Sequence, residues 1–326
     1  MKKKIISAIS ILLIALVIIF GIIMVVALLP TPYKDYTWQT VGKCDYVSKV
    51  KEKKYFYVSG SSGLYGVDPF FLSDLIDCRV YNMSRTAGQE TVFVTNMAFK
   101  NANPGDTILI GYEYDNWRKI NVGARTGDIS YAAMCVDADV EMMRYLCGKD
   151  VIELFKFLPM YCFKKIDFLK GYDNIDTEKI NTYEIDNEEM YRDFFTVDYP
   201  EYTRMSGTVI SNPRRLKLTP EDVSVELMDF IRAVNEKAKR RDVEVLLVAC
   251  PMLEGADEEM LDDTMEYISE YTGCPWISSA EEHVFSLCDM CDTEYHCNSK
   301  GCLKNTLQLA NDIENYEKSK NKRKER

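Results

Sequence analysis

The start of this chain constrains it most. Lys2, Lys3 and Lys4 are followed by Ile5 to Leu29, 25 residues without a charge. A helix rises about 1.5 Å per residue, so this run reaches roughly 37 Å and crosses a bilayer with some tilt. Lysines on its N-terminal side orient it with the N-terminus in the cytoplasm and the rest of the chain outside. A cleaved signal peptide is the competing reading. Its apolar region is usually shorter, and "VVALLPTPY" offers a poor small-x-small cleavage site. The expectation is an uncleaved, single-pass anchor of the cell membrane carrying an extracytoplasmic body.

Charge narrows the partners of that body. With the three leading lysines set aside, 37 basic residues stand against 51 acidic ones. An acidic exterior argues against nucleic acid as a partner. The ending "KSKNKRKER" reads as a solvated, mobile tail rather than a binding site. All eleven cysteines follow the anchor. An oxidising exterior allows several disulfides, and an odd count leaves at least one thiol unpaired in a monomer. The cluster "CDMCDTEYHCNSKGC" raises zinc, through Cys288, Cys291, Cys297, Cys302 and His296. Its spacing fits no zinc pattern, and exported thiols pair more readily than they ligate. No metal and no cofactor is expected.

Beyond a tether over 31–51, the chain alternates strands and helices. "KKYFYVSG" is a β-run, "DPFFLSDLID" a short helix with Pro69 near its start, and "CRVYNMS" a second strand. "QETVFVTNMAFKNA" is a helix, and "DTILIGYEY" a third strand entered through the turn Asn103-Pro104-Gly105-Asp106. Such an order implies a parallel sheet covered by helices on both faces. The pattern returns at Thr219-Pro220-Glu221-Asp222, a helix start with Thr219 as N-cap and Pro220 in first position. Val223, Leu227, Phe230, Ile231, Val234 and Ala238 then recur at helical spacing. "VEVLLVACP" is a continuous apolar strand of the kind found inside a parallel sheet. A helix near Asp257–Tyr271 and a closing helix with Leu303, Leu307, Ala310 and Ile313 on one face complete the pattern. The expected fold class is α/β: a three-layer α/β/α sandwich with a mostly parallel sheet, preceded by one transmembrane helix. Its domain would span 52–116 and 219–315. An insert over 117–218, with helices such as "VDADVEMMRYLCG" and "NTYEIDNEEMYRDFF", reads as a cap or partner-docking subdomain. A basic tail occupies 316–326.

In an open parallel sheet, ligands bind beyond the carboxyl ends of the strands. Gly60-Ser61-Ser62-Gly63 lies at such an end, where two glycines permit a sharp turn and close backbone approach. A serine nucleophile there needs a base, normally histidine. The chain has two histidines. His283, in "SSAEEHVFSL", reads as a surface residue. His296 lies in "CDTEYHCNSKG", with Asp292 four residues earlier, close enough in a loop to orient the imidazole. Ser62, Asp292 and His296 are the candidate triad.

The blocks "VSGSSGLYGVDP", "YNMSRTAGQ" and "DTEYHCNSKG" resemble those of the SGNH/GDSL hydrolase superfamily. The variety resembled is membrane-anchored, with Gly-Ser-Ser in place of Gly-Asp-Ser. It is similar in layout to the SGNH protein of D-alanyl-lipoteichoic acid biosynthesis and to alginate-type O-acetyltransferases. The resemblance covers about 52–116 and 219–315, not the insert. It implies an SGNH or flavodoxin-like sheet, with Ser62 as nucleophile, His296 as base and Asp292 as acid. It also implies an oxyanion hole from the N–H groups of Ser62 and Gly88, such donors contributing about 2.7–4 kcal/mol each. Two positions depart from the pattern. Thr293 stands where the family has its Asp, leaving Asp292 or Glu294 to orient the imidazole. In "GYEY", Glu113 stands where the family has an oxyanion-binding Asn, so Asn116 or a backbone donor must substitute.

Two functions of different class follow. One is an anchored serine esterase or O-acyltransferase acting on an acylated cell-envelope polymer, polysaccharide or teichoic acid. The resemblance implies a membrane-bound O-acyltransferase as its acyl-supplying partner. The other is a non-catalytic binding or scaffold component of an envelope-modification complex, which the Glu113 departure favours. A plain anchored α/β domain, whose Ser and His merely cap turns, is the third alternative.

Overall fold

The computed structural model describes residues 2–29, 36–84, 91–118, 135–136, 140–146, 148–170, 216, 218–256 and 261–324. Its contacts divide the chain into two units. One comprises Met1–Gly42 with Thr126–Glu184, the other Lys43–Arg125 with Ile185–Arg326.

The first unit is helical. Helix α1, Lys2–Leu28, is exposed along almost its whole apolar length. It is long and apolar enough to cross a membrane, a property that an anchor and a signal sequence share.

The second unit holds the sheet. It begins within α2, Tyr36–Lys49, whose residues Cys44, Tyr46 and Val47 are buried. The segment read as a tether is thus partly helix packed into a core, with Tyr46 set edge-on to Tyr81. In chain order follow β1 (Lys54–Val58), α3 (Ser61–Gly66), α4 (Pro69–Ile76), β2 (Arg79–Asn82), α5 (Thr91–Asn101) and β3 (Thr107–Ile110). In the first unit comes α6 (Gly148–Lys170). The second unit resumes with α7 (Val225–Lys239), β4 (Glu244–Leu247), the short β5 (Met252–Leu253), α8 (Leu261–Thr272), β6 (Val284–Phe285) and α9 (Ser299–Lys324).

Four parallel strands pair in the order β2-β1-β3-β4. Nearly every strand residue is buried, which explains why the strands read as apolar runs without alternation. Tyr55, Tyr57, Leu109 and Leu246 face a core shared with Leu72, Leu309, Ala310 and Ile313 of α4 and α9. Helix α5 packs against β1 and β3 and α7 against β4, with α8 laid on α7. The protein is therefore an α/β fold with a helix-flanked parallel sheet, as expected.

Beneath the sheet's amino edge Lys54 and Asp106, both fully buried, pair at 2.7 Å. Asp106 also accepts from the Lys54 and Asn103 amides, so the buried carboxylate is well satisfied.

Three sequence expectations need correction. Thr219 and Asp222 do form a capping box, but around a single 3-10 turn, Pro220–Asp222; the long helix starts later, with Ser224 as its N-cap. In α9, Leu303 and Leu307 are exposed, while Asn305, Thr306, Leu309, Ala310 and Ile313 are buried. The basic ending is helical to Lys324, and Lys320 pairs with Glu244 at 2.6 Å. The segment "NTYEIDNEEMYRDFF" and Gly88 lie outside the described residues.

Candidate active site

The strand order reverses between β1 and β3: from β1 the chain crosses first to β2 on one side, then to β3 on the other. Such a switch point leaves a crevice at the carboxyl ends of the strands. Ser59 to Ser62 leave β1 on one side of it, and Gly111 to Glu113 leave β3 on the other. A cleft of about 480 Å³ lies at the opposite, amino edge of the sheet, lined by Lys53, Asp106, Glu244 and Lys320 among others. It is remote from this chemistry.

Ser61 and Ser62 open α3. Gly60 and Gly63 are needed here for close approach, not for a left-handed backbone. A methyl group on Gly60 would lie 2.9 Å from Glu113 Oε1, and one on Gly63 would lie 2.5 Å from Ser59, Ser84 and Tyr57. Asn82, at the end of β2, secures this turn from below. Its amide donates to the carbonyls of Gly63 (2.8 Å) and Val67 (3.2 Å).

Ser62 is fully buried. Its Oγ lies 2.9 Å from Ser59 Oγ, and Ser59 Oγ donates to the Gly111 carbonyl at 2.5 Å. A serine has one hydroxyl proton. Since Ser59 gives its proton to Gly111, the Ser62 hydroxyl is the donor to Ser59. The backbone N–H of Ser62 is also taken: it donates to Glu113 Oε1 at 2.9 Å, and Ser61 Oγ donates to the same oxygen at 3.1 Å. Asn116 faces this carboxylate too, with Nδ2 3.5 Å from Glu113 Oε2 and its own N–H on the Glu113 carbonyl at 2.8 Å.

Asp292 and His296 lie in the loop before α9. Here Met290 and Cys297 form an antiparallel bridge, and the Cys291 amide donates to the His296 carbonyl at 2.7 Å. Thr293 closes the turn, its hydroxyl accepting from the amides of Tyr295 (3.3 Å) and His296 (3.2 Å). That is the physical use of threonine at this position. Asp292 Oδ1 lies 2.8 Å from His296 Nδ1. The imidazole, its side chain 14% exposed, sits edge-on to the Tyr65 ring at 4.8 Å. Tyr65 is in α3, one turn beyond Ser62. The loop thus sets the imidazole beside the helix that Ser62 opens. No hydrogen bond joins Ser62 to His296 among the described residues.

Buried phenol and thiol groups beside the crevice are held in their neutral forms. Burial first, then Cys250, Cys297 and Glu113, pushes the Tyr57 phenol well above its ordinary value. Burial likewise keeps the Cys250 and Cys297 thiols protonated. Cys250, Cys291 and Cys297 are buried free thiols. Among the described residues no three His, Cys, Asp or Glu side chains gather as a metal-holding group.

His283, expected at the surface, is fully buried. Its Nδ1 meets Asn305 Oδ1 at 2.6 Å and its Nε2 meets Asp312 Oδ2 at 2.9 Å. Asn305 in turn donates to the Gly66 carbonyl at 2.7 Å, tying α9 to the end of α3. Ser59, Tyr65, Asn82 and Asn305 are the site-building residues that sequence reasoning missed. Ser59 and Tyr65 lie within "VSGSSGLYGVDP" and Asn82 within "YNMSRTAGQ", the blocks already singled out; only Asn305 lies outside them.

A scan against protein-family models returns no match, and no curated protein matches the chain. Fold and site together define a class: an α/β protein with a parallel four-stranded sheet and a serine turn, a carboxylate and a His–Asp pair at its carboxyl edge.

Proposed function

We propose that the chain is a membrane-anchored, extracytoplasmic serine esterase or O-acyltransferase of SGNH type, acting on acyl esters of a cell-envelope polysaccharide or teichoic acid. The observation that carries this reading is the His296–Asp292 pair held against α3, whose first turn holds Ser62 at the switch point of the sheet. In the proposed reaction the Ser62 hydroxyl turns from Ser59 towards the imidazole. Its oxygen attacks the acyl carbon, His296 takes the proton, and the alcohol leaves with that proton returned to it. Water or a polymer hydroxyl then accepts the acyl group. The acyl donor would come through a membrane-bound O-acyltransferase partner.

One observation favours the second reading, a non-catalytic scaffold of an envelope-modification complex. Glu113 occupies the Ser62 N–H that an oxyanion would need. The Ser62→Ala substitution in the native chromosomal gene separates the two. Catalysis predicts that ester-linked acyl groups on the envelope polymer change as much as in a deletion strain. A scaffold predicts wild-type acylation with Ser62→Ala and altered acylation only on deletion.

A further inference from the structure

We propose that α6 lies in the outer leaflet of the membrane that α1 crosses, with its outward face covered by lipid acyl chains. The proposal rests on the anchor reading of α1 and is independent of Ser62 chemistry.

Helix α6 is apolar on two opposite faces. Leu154, Leu158, Tyr161 and Lys165, at i, i+4, i+7 and i+11, are buried. Ile152, Phe155, Met160 and Phe163 project from the other side and are exposed, Phe163 by 71%. The helix packs on α1. Lys165 Nζ donates to the Ala27 carbonyl at 2.7 Å, and Cys162 Sγ to the Ile23 carbonyl at 3.3 Å. Both carbonyls belong to the final turns of α1, and Ala27 is one of the terminal carbonyls that no intrahelical amide can satisfy. A buried ammonium there also complements the negative end of the helix dipole. If α1 were removed, Lys165 would lose this acceptor and α6 its packing surface.

The outward face thus continues an apolar surface that already has the length of a bilayer. Its apolar stretch, Leu154–Phe163, is too short to cross; ten helical residues cover roughly 15 Å against about 30 Å of hydrocarbon. An interfacial position suits that length. The charge agrees. Gly148–Lys170 carries five lysines against three acids in a chain of net charge −11, and anionic headgroups attract such a segment.

The test uses the full chain reconstituted in vesicles of phosphatidylcholine and phosphatidylglycerol. Phe163→Trp and Met160→Trp, both on the exposed face, are compared with the wild type by difference fluorescence. Each added indole should emit at shorter wavelength than in water. It should be quenched about twofold more strongly by lipids brominated near the headgroup end of the acyl chain than by lipids brominated near its methyl end, as expected at a depth of about 5–10 Å. Water-like emission without bromolipid quenching, in protein that floats with the vesicles, overturns the proposal and leaves the anchor intact. A blue-shifted, unquenched indole whose shift reverses on dilution means that a second copy covers the face, and also overturns it. Protein that does not float with the vesicles removes the anchor reading, and the proposal with it.

Discussion

At the end of β3 a carboxylate stands where a transition-state donor would be useful. Glu113 Oε1 accepts from the Ser62 N–H and the Ser61 hydroxyl, and its negative charge would repel a developing oxyanion in the same place. Replacing it with an amide exchanges that repulsion for a donor. Glu113→Asn should therefore raise hydrolysis of a simple aryl acetate by the full-length protein, by on the order of 10²-fold if one oxyanion donor is gained. An unchanged rate in a folded variant would show that Glu113 does not obstruct catalysis. The identity of Glu113 was legible as a departure in "GYEY", but the bonds to its Oε1 were not, because Ser61 and Ser62 lie some fifty residues earlier. His283 was misread for the same reason. Flanked by Glu281, Glu282 and Val284, it looks exposed, and only the fold brings Asn305 and Asp312 to its two nitrogens.

The elements divide by how locally their signals are written. All four sheet strands were readable from the sequence, β4 as a continuous apolar run, because a sheet covered on both faces buries nearly every position. The α4 helix announced itself through Asp68 and Pro69, and Asp68 indeed accepts from the amides of Phe70 and Phe71. The inner face of α9 was not readable from apolar periodicity, since much of what it buries is polar: Asn305 binds Gly66, and Thr306 accepts from the Asp68 amide at 3.0 Å. The loop carrying His296 is fastened to this helix by Asp289, which receives Lys304 at 2.6 Å and Lys300 at 3.2 Å. Burial opposes ionisation of Asp289, but hydrogen bonds from Lys304, Ser286 and Lys300 outweigh it and hold the carboxyl below its ordinary value of 3.8. A depressed folded pKa contributes stability that is present above the unfolded value and lost as pH falls through the folded one. Docking of the loop, followed by hydrogen exchange at Cys291 and Asn298, should persist from neutral pH to about pH 4 and fail only below it. Lys304→Met should move that failure to higher pH. An identical acid transition in the variant would mean that Asp289 does not fasten the loop.

For the whole molecule, the proposed function ties the serine turn to the membrane through the order of features along the chain. Under the proposed anchor reading, the leading lysines and an apolar helix of bilayer length direct the serine turn towards the cell exterior. The parallel sheet brings the serine turn after β1 and the loop before α9 to one edge. It achieves this although the two segments are separated by most of the chain, a placement that strand order made legible only in outline. The direct test is to treat intact cells producing the full-length protein with a membrane-impermeant fluorophosphonate and to map the adduct by mass spectrometry, in the native and Glu113→Asn forms. The account predicts a single adduct on Ser62, strongest in Glu113→Asn and abolished by His296→Ala. An adduct on Ser61, one that survives loss of His296, or none in either form would contradict it.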